Sequence, residues 1–568
     1  MAAATPPSGI AAVRGRVASA FSRRTLGKDV VAGVVLGVES VPDGLASGLL
    51  AGVNPIAGLY AYLFGMVGAA FVTSSAFLAV QATGAMALVV ADAGLASRPD
   101  PEAALFTLSM IAGVLLVVGG LLRVGTLVRF APTAVMTGFL TAVGVNIVLG
   151  QLSNFTGYDA RGDNRVIRTV DTMLHVADWK PSTVFVGVLT VLLIVLFAQT
   201  PVGSLGLVIA VVVGSLVAWA VDLGPLAHVA TIGDLVTVPH GLPAPVLPSW
   251  GDIAYLVVPA FSLAFVCIVQ GAGVSAGLPT PDGRTPNASR DIVGQGVGNI
   301  VAGVFQGMPV GGSMSASSLV IQAGGRTRLA LFVAGAVMAL VVLVASPLVS
   351  FTAMPALAGL LIVVGVTSIK PTRVMSVIKT GPLQTTVMAV TFVLTLLIPL
   401  QFAELVGVGL GIILFVAQQS NRVRVREVEL TDDGRMREVG PRPHVGAGEI
   451  VVLQPYGSLF FASAPTFETQ LPKVDASSRN SVVIVRLRGT DQIGLAHIEV
   501  LRRYAARLRE AGSTLKVVAS EQRVITQLRA TQLAAELGRG NIYRGSEWVG
   551  AAVLRAHRDA RAEIAARS

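Results

Sequence analysis

Two acidic residues lie four positions apart in the first long apolar segment of the chain. Glu39 and Asp43 are surrounded there by apolar residues and glycines, and a carboxylate inside a membrane span costs about 2.5–3.5 kcal/mol on insertion scales. Their spacing places both side chains on one helical face, unless Pro42 between them breaks the helix. Asp43 is therefore a candidate for binding a proton or a cation, whereas Glu39 fits a structural hydrogen bond as well as a functional role.

Two further segments combine glycines, hydroxyl side chains and short apolar runs. FLAVQAT precedes Gly84 and GMPVGGS precedes Met314, and the apolar runs 82–91 and 313–322 are too short to cross a bilayer alone. Short, glycine-interrupted spans at matching positions of two halves are typical of the binding site of an inverted-repeat transporter. Helix N-termini bind anions through free N–H groups and the helix dipole. The predicted donors are Ala82, Thr83, Gly312, Ser313, Met314 and Ser315, although the glycines also fit tight helix packing.

The composition identifies a membrane protein. The chain has 568 residues, of which 53% are hydrophobic and only 13% are charged, whereas about a quarter of residues are charged in soluble proteins. Fourteen apolar segments can be drawn, and they are 30–50, 56–72, 82–91, 103–122, 132–152, 184–198, 205–221, 253–270, 292–305, 313–322, 329–345, 356–366, 383–398 and 403–417.

The net charge of +10 is concentrated at the ends of these segments rather than on a nucleic-acid-binding face. Basic residues fall in every second connection, the positive-inside pattern of inner-membrane proteins, if both termini are cytoplasmic. They are Arg123, Arg129, Arg284, Arg290, Arg326, Arg328, Lys370, Arg373, Arg422, Arg424 and Arg426. The basic segment 1–28 lacks the apolar core of a cleaved signal peptide. The lipid bilayer is thus an expected partner, and nucleic acid is not.

The composition changes abruptly near residue 420. A transmembrane domain over 29–420 is followed by a polar linker over 421–445 and by a soluble domain over 446–560. In that last domain, apolar runs typical of strands alternate with amphipathic helical segments, which predicts an α/β fold with its own core.

Five segments together resemble the SulP family of anion transporters. They are VAGVVLGVESVPDGLASGLLAGVNPIAGLYA, SSAFLAVQATGAMA, DIVGQGVGNIVAGVFQGMPVGGSMSASS, MPALAGLLIVVGV and YGSLFFASAPTF, the last resembling the opening of a STAS domain. The resemblance covers about residues 25–555 in the family's order. It implies a polytopic α-helical protein with fourteen transmembrane segments in a 7+7 inverted repeat, divided into core and gate domains, plus a C-terminal α/β STAS domain. It also implies a homodimer and secondary active transport of anions.

Three positions depart from the family pattern. Many members have Gln at the position of Asp43, an acidic residue at that of Gln270 and Arg at that of Ala316. Because an anion beside an ionised Asp43 would be repelled, we expect symport coupled to H⁺ or Na⁺. Asp43 and Gln270 join the predicted substrate-binding residues, and Glu39 and Asp43 are the predicted coupling-ion residues. The substrate is expected to be sulfate, bicarbonate or a dicarboxylate. An anion exchanger, an uncoupled conductance and a membrane-anchored signalling scaffold are the alternatives.

The sequence indicates no enzyme, no cofactor other than the coupling ion and no metal site. Its six histidines lack metal-ligand spacing, so surface or hydrogen-bonded positions are expected for them. In the STAS-like domain, Asp491-Gln492-Ile493-Gly494 stands where related regulatory domains carry a phosphorylatable Ser or Thr. Gln492 cannot accept phosphate, so a structural role or docking of a cytoplasmic protein partner is expected.

Overall fold

The structure is a computed structural model. It describes residues 23–124, 132–162, 164–200, 205–223, 228–236, 241–278, 286–420, 422–431 and 435–567. Contacts divide the chain into two units, Met1–Gly411 and Ile412–Ser568.

Each of the fourteen predicted segments contains a helix. The helices are α1 Arg23–Leu50, α2 Pro55–Val72, α3 Gly84–Asp92, α4 Pro101–Leu121, α5 Thr133–Thr156, α6 Pro181–Ala198, α7 Leu205–Asp222, α8 Ile253–Gly277, α9 Ala288–Val304, α10 Met314–Gln322, α11 Leu329–Val344, α12 Met354–Ser368, α13 Pro382–Leu397 and α14 Leu400–Ser420. Eight helices of the described part are long and apolar enough to cross a membrane. The protein is therefore a multi-pass membrane protein, as predicted.

The helices form two bundles. In the first, α1, α2 and α4 pack mainly with α8, α9 and α11, and the half-helices α3 and α10 join them. In the second, α5–α7 pack with one another and with α12 and α13, and Gly407 of α14 lies against Thr391 and Val135. We call them the core bundle and the gate bundle. Short helices connect some of the spans, and they are Arg165–Leu174, Ile232–Leu235, Ser346–Ser350 and Pro371–Thr380.

Close helix packing depends on paired glycines in both bundles. A Cβ atom on Gly113 of α4 would lie 2.7 Å from the Gly296 carbonyl of α9, and the reverse distance is also 2.7 Å. In the gate bundle, Gly144 and Gly365 stand in the same reciprocal relation at 2.7 and 2.8 Å. Only glycine permits backbones to approach this closely, which is how helices associate where lipid supplies no hydrophobic driving force.

Pro42 does not break α1. The helix is continuous from Arg23 to Leu50 with Pro42 inside it, which decides the question that the sequence left open. Proline removes one backbone hydrogen bond, and the long apolar segment on both sides is sufficient to continue the helix. Glu39 and Asp43 consequently lie one turn apart on the same helix.

Two short strands position the half-length helices α3 and α10. Strand β1 (Ala79–Gln81) precedes α3, and β2 (Gly311–Ser313) precedes α10. The strands pair antiparallel, with Val80 opposite Gly312. Because each half-helix follows one of these strands, their N-termini lie near each other at the centre of the core bundle, as the extended approaches predict.

The C-terminal unit contains a six-stranded sheet in the order β4-β3-β5-β6-β7-β8. The strands are β3 Arg424–Leu430, β4 Met436–Val439, β5 Ile450–Tyr456, β6 Val482–Leu487, β7 Thr514–Ala519 and β8 Ile542–Arg544. Strands β5–β8 are parallel, and β3 is antiparallel to both β4 and β5. The sheet thus extends into the stretch 421–445, which composition alone describes as a linker.

Helices cover both faces of this sheet. They are α15 Ala464–Thr469, α16 Leu495–Glu510, α17 Gln522–Ala530, α18 Gln532–Leu537 and α19 Ala551–Arg567. One face forms a core with α15–α18, and the other packs against Ala552, Val553, Ala556 and Ala560 of α19. The unit therefore has an α/β fold with its own hydrophobic core.

Candidate functional site

The N-terminus of α3 brings together three of the predicted site residues. The Thr83 hydroxyl donates to Gln270 Oε1 of α8 at 3.0 Å and also accepts from the Met86 N–H at 3.5 Å. The carbonyl of Ala82, adjacent to Thr83, accepts from Tyr62 Oη at 2.7 Å. Ala82 thus contributes an acceptor, whereas the sequence predicts a donor at this position.

The N-terminus of α10 is lined by hydroxyl groups. Ser313 Oγ accepts from the Ala316 N–H at 3.3 Å and lies 3.1 Å from Ser315 Oγ. Met314 and Ser315 are exposed, whereas Ser313 is buried. This end presents polar groups without a charged side chain.

The backbone N–H of Gly312 is already bonded. It donates to Gln295 Oε1 of α9 at 2.9 Å, and a Cβ atom on Gly312 would lie 3.0 Å from the Gly271 Cα. In this conformation Gly312 therefore serves the tight packing that was the alternative explanation for it, and its N–H is not a free donor.

Asp43 lies next to the α3 end through Tyr62. Tyr62 Oη is 2.6 Å from Asp43 Oδ2 and 2.7 Å from the Ala82 carbonyl oxygen, and the Tyr62 side chain is fully buried. Asp43, Thr83 and Gln270 are half-buried. The carboxyl group of α1 and the start of α3 are therefore joined by a single hydroxyl group.

One carboxylate oxygen of Glu39 lacks a hydrogen bond to any described residue. Its Oε2 is buried and has no hydrogen-bond partner in the described part of the chain. The neighbouring Ser40 Oγ accepts from Gln81 Nε2 of β1 at 2.7 Å. A buried carboxylate oxygen without a donor is costly when ionised, so Glu39 stays, with Asp43, a candidate residue for the coupling ion.

Sequence reasoning missed the residues that hold these groups in place. Tyr62 directly follows the quoted segment that ends at Ala61, and nothing in the local sequence indicates its contact with Asp43. Asn299 forms two hydrogen bonds with the backbone of Val310. Its Nδ2 donates to the Val310 carbonyl at 2.6 Å, and its Oδ1 accepts from the Val310 N–H at 2.9 Å. Gln295 and Asn299 are polar residues four apart in an apolar run, which is the signal that could have identified them.

The start of α3 packs closely against the gate bundle. A Cβ atom on Gly84, the first residue of α3, would lie 2.4 Å from Ile147 Cδ1 of the gate bundle. Within the described residues, the hydrogen bonds of Asp43, Tyr62, Ala82, Thr83 and Ser313 involve no Lys or Arg. A ligand here would be held by dipoles, hydroxyl groups and one ionisable pair.

Comparison with known proteins decides the family. The model of the sulfate permease family matches residues 26–391, and the STAS domain model matches residues 444–547. The chain belongs to the sulfate permease family. This is a family of membrane transporters rather than enzymes, in agreement with the sequence analysis.

Two curated relatives show the extent of the family likeness. "Probable sulfate transporter 4.2" of Arabidopsis thaliana is 27% identical over 402 residues, which are 69% of this chain and 59% of that protein. "Bicarbonate transporter BicA" of Picosynechococcus sp. is 27% identical over 457 residues, which are 78% of this chain and 80% of that protein. The two relatives carry the names of different anions, so membership in the sulfate permease family leaves the substrate of this chain open.

A solved structure confirms the fold of this sulfate permease family member. The structure titled "The overall structure of SLC26A9" matches with a TM-score of 0.84 and 18% identity, over 97% of this chain and 93% of that chain. The transmembrane inverted repeat and the C-terminal STAS domain are thus both as predicted.

The STAS domain contains a buried histidine that departs from expectation. His497 is fully buried on α16, its Nε2 lies 3.3 Å from Ser463 Oγ, and its Nδ1 has no partner among the described residues. Burial lowers the pKa of His497 to about 4. The expected surface or fully hydrogen-bonded position is therefore wrong for this histidine.

The Asp491–Gly494 loop has structural contacts. The Ile493 N–H donates to Gln527 Oε1 at 3.1 Å, and the Gly494 N–H donates to the Leu459 carbonyl at 3.1 Å. Asp491 and Gln492 are exposed. No group of three or more His, Cys, Asp or Glu residues that could hold a metal ion occurs in the described residues.

Proposed function

We propose that this protein is a proton-coupled symporter of a small anion, held between the N-termini of α3 and α10. The observation that carries the proposal is the Asp43–Tyr62–Ala82 chain, which links an ionisable group in α1 to the start of α3. Helix N-termini favour anions, and Thr83, Gln270, Ser313 and Ser315 supply polar contacts around them.

The Tyr62 hydroxyl favours the proton over Na⁺ as the coupling ion. It has one hydrogen, but it lies within 2.7 Å of two acceptors when Asp43 is ionised. If Asp43 is protonated, its carboxylic acid donates to Tyr62 Oη, and Tyr62 donates to the Ala82 carbonyl. Tyr62 Oη then accepts one short hydrogen bond and donates the other, which supports a protonated Asp43 in this conformation. The Ala82 carbonyl also accepts from Ser47 Oγ at 3.2 Å.

Protonation also removes the electrostatic conflict with the substrate. An ionised Asp43 would repel an anion in a poorly screened site, whereas a neutral Asp43 leaves the positive helix ends to act alone. The proton and the anion would therefore bind together and cross together.

The names of the curated relatives support sulfate or bicarbonate as the substrate. A dicarboxylate such as succinate is the third class that the sequence suggests. We further propose that the protein is a homodimer in the inner membrane with both termini in the cytoplasm, on the basis of its basic connections and its family.

Uptake into proteoliposomes tests the proposal. Radiolabelled sulfate, bicarbonate and succinate would be offered with an inward proton gradient, with an inward sodium gradient and without a gradient. We expect one anion to accumulate only with the proton gradient. Accumulation that needs the sodium gradient would show that the coupling ion is Na⁺ rather than H⁺. Equilibration without accumulation would favour an exchanger or conductance. No flux of any anion would favour the STAS signalling scaffold.

A further inference from the structure

A cavity of about 560 Å³ lies at one end of the gate bundle, separate from the Asp43 site. It is bounded by the first turns of α5 and α13, the last residues of α12 and the helix Pro371–Thr380. The site residues discussed above do not line it. Its lining residues therefore form a separate candidate site.

The charges around this cavity are positive. Lys370 and Arg373 line it, and none of its described lining residues is acidic. Lys370 Nζ donates to the Thr367 carbonyl at 2.7 Å, which leaves its charge unneutralised. Arg373 is exposed and forms no ion pair with a described residue.

Two helix N-termini add to this positive potential. Helix α5 begins at Thr133 after Pro132, and α13 begins at Pro382 after Gly381. Neither preceding residue provides a side-chain acceptor, so the first N–H groups of both helices are not capped by those residues. The positive ends of a 24-residue and a 16-residue helix therefore border the same cavity as the two cations.

The remaining walls combine apolar side chains with uncharged hydroxyl and amide groups. Met136, Leu140 and Val377 line the cavity, and the helix Pro371–Thr380 also exposes Met375 and Ile378, at 51% and 44% of their surface. Exposed apolar side chains on a basic amphipathic helix are typical of the membrane interface. A free inorganic anion would not use this apolar surface, whereas a lipid would.

We propose that this cavity binds the phosphate headgroup of an anionic phospholipid, with the acyl chains against the apolar residues. Basic pockets between transmembrane helices are known binding places for such headgroups. Lys370, Arg373 and the two helix ends would hold the phosphate, and hydroxyl groups such as those of Ser376 and Thr380 border it.

Native mass spectrometry of the full-length protein in detergent tests this proposal. The protein would be titrated with phosphatidylglycerol, with phosphatidylcholine and with inorganic phosphate. We expect one phosphatidylglycerol to bind in preference to phosphatidylcholine, and the double variant Lys370→Gln, Arg373→Gln to lose that preference by roughly 30-fold. Lys379→Gln is the matched control, because Lys379 is exposed on the same helix but does not line the cavity.

A second variant tests whether misfolding, rather than loss of the two cations, explains the weaker phosphatidylglycerol binding of the double variant. Ser376→Trp keeps both cations but fills the cavity, so it should also lose the bound phosphatidylglycerol while proton-driven uptake stays at the wild-type level. Equal retention of phosphatidylglycerol by the double variant and the Lys379→Gln control would overturn the proposal. Binding of inorganic phosphate as tight as that of the lipid would overturn it as well, since the cavity would then be a free-anion site.

Discussion

The two half-helices begin in different environments. The start of α3 is joined through Tyr62 to Asp43, an ionisable group, whereas the start of α10 presents the uncharged hydroxyls of Ser313 and Ser315. Antiparallel pairing of β1 and β2 places the two ends near each other. We infer from this difference that the two helix ends have different roles. The α3 end would bind the proton, and the α10 end would contribute mainly to anion affinity.

Replacing Asp43 with Asn should have the largest effect. Asparagine resembles the protonated acid but cannot release a proton, so coupling should be lost while exchange of anions persists. A gradient of one pH unit can drive about tenfold accumulation for each coupled proton, and this accumulation should disappear. Uptake with and without a proton gradient, together with isotope counterflow, measures both properties. Unchanged coupled uptake would remove Asp43 from the mechanism.

Replacing Tyr62 with Phe should have the next largest effect. The change removes the hydroxyl that bonds both Asp43 and the Ala82 carbonyl, and each neutral hydrogen bond contributes about 0.5–1.5 kcal/mol. Proton-driven uptake should slow by roughly tenfold. Tyr60→Phe is a matched control, because the Tyr60 hydroxyl has only a 3.4 Å contact with the Gly241 carbonyl. If Tyr62→Phe and Tyr60→Phe slow proton-driven uptake equally, the hydrogen bond between Tyr62 and Asp43 does not contribute to coupling.

Replacing Ser315 with Ala should affect affinity rather than coupling. The loss of one hydroxyl hydrogen bond to the anion corresponds to about 1.5 kcal/mol, or roughly a tenfold rise in KM. The number of protons per anion should stay the same. Initial uptake rates over a range of anion concentrations give KM, with Ser318→Ala as the neighbouring control. A changed proton stoichiometry would contradict the proposed division between the two helix ends.

His497 provides the smallest predicted effect and a test from outside the membrane. Its pKa is lowered by burial to about 4, so unfolding below pH 6.5 takes up a proton and stability falls as the pH falls. Between pH 7 and 6 the loss should be about 0.7 kcal/mol. Urea unfolding of the fragment 422–567, which contains both cores of the domain, measures this loss. The His497→Gln fragment should lack it, and parallel pH curves for the two fragments would exclude His497 as its source.

The His497→Gln substitution also tests whether titration of His497 contributes to proton-coupled transport. In the full-length protein, His497→Gln should leave the proton dependence of uptake unchanged, in contrast to Asp43→Asn. A shift in the pH profile of transport would show that titration within the STAS domain contributes to coupling.

Much of the fold could be predicted from the sequence because its signals are local. Apolar length locates the spans, and the glycine-rich approaches to Gly84 and Met314 locate the two half-helices. Local sequence does not decide what depends on the tertiary environment. The sequence left open whether Pro42 breaks the first helix, and the helix continues through it.

The site was predictable in its residue types but not in its connections. Asp43, Ala82, Thr83 and Gln270 are grouped as the sequence suggests. The contacts that join them run through Tyr62 and Gln295, which are distant in the chain from the groups they hold, and no periodicity reports such contacts. The engaged N–H of Gly312 is one consequence, because only the folded arrangement shows that Gln295 lies opposite it.

Proton movement during anion uptake tests the central claim most directly. Proteoliposomes containing a pH-sensitive dye would be given the transported anion in sodium-free buffer, with labelled anion counted in parallel. Our account predicts acidification of the interior in fixed proportion to anion entry, and no acidification with the Asp43→Asn variant. Anion entry without acidification, or entry that requires sodium, would contradict it.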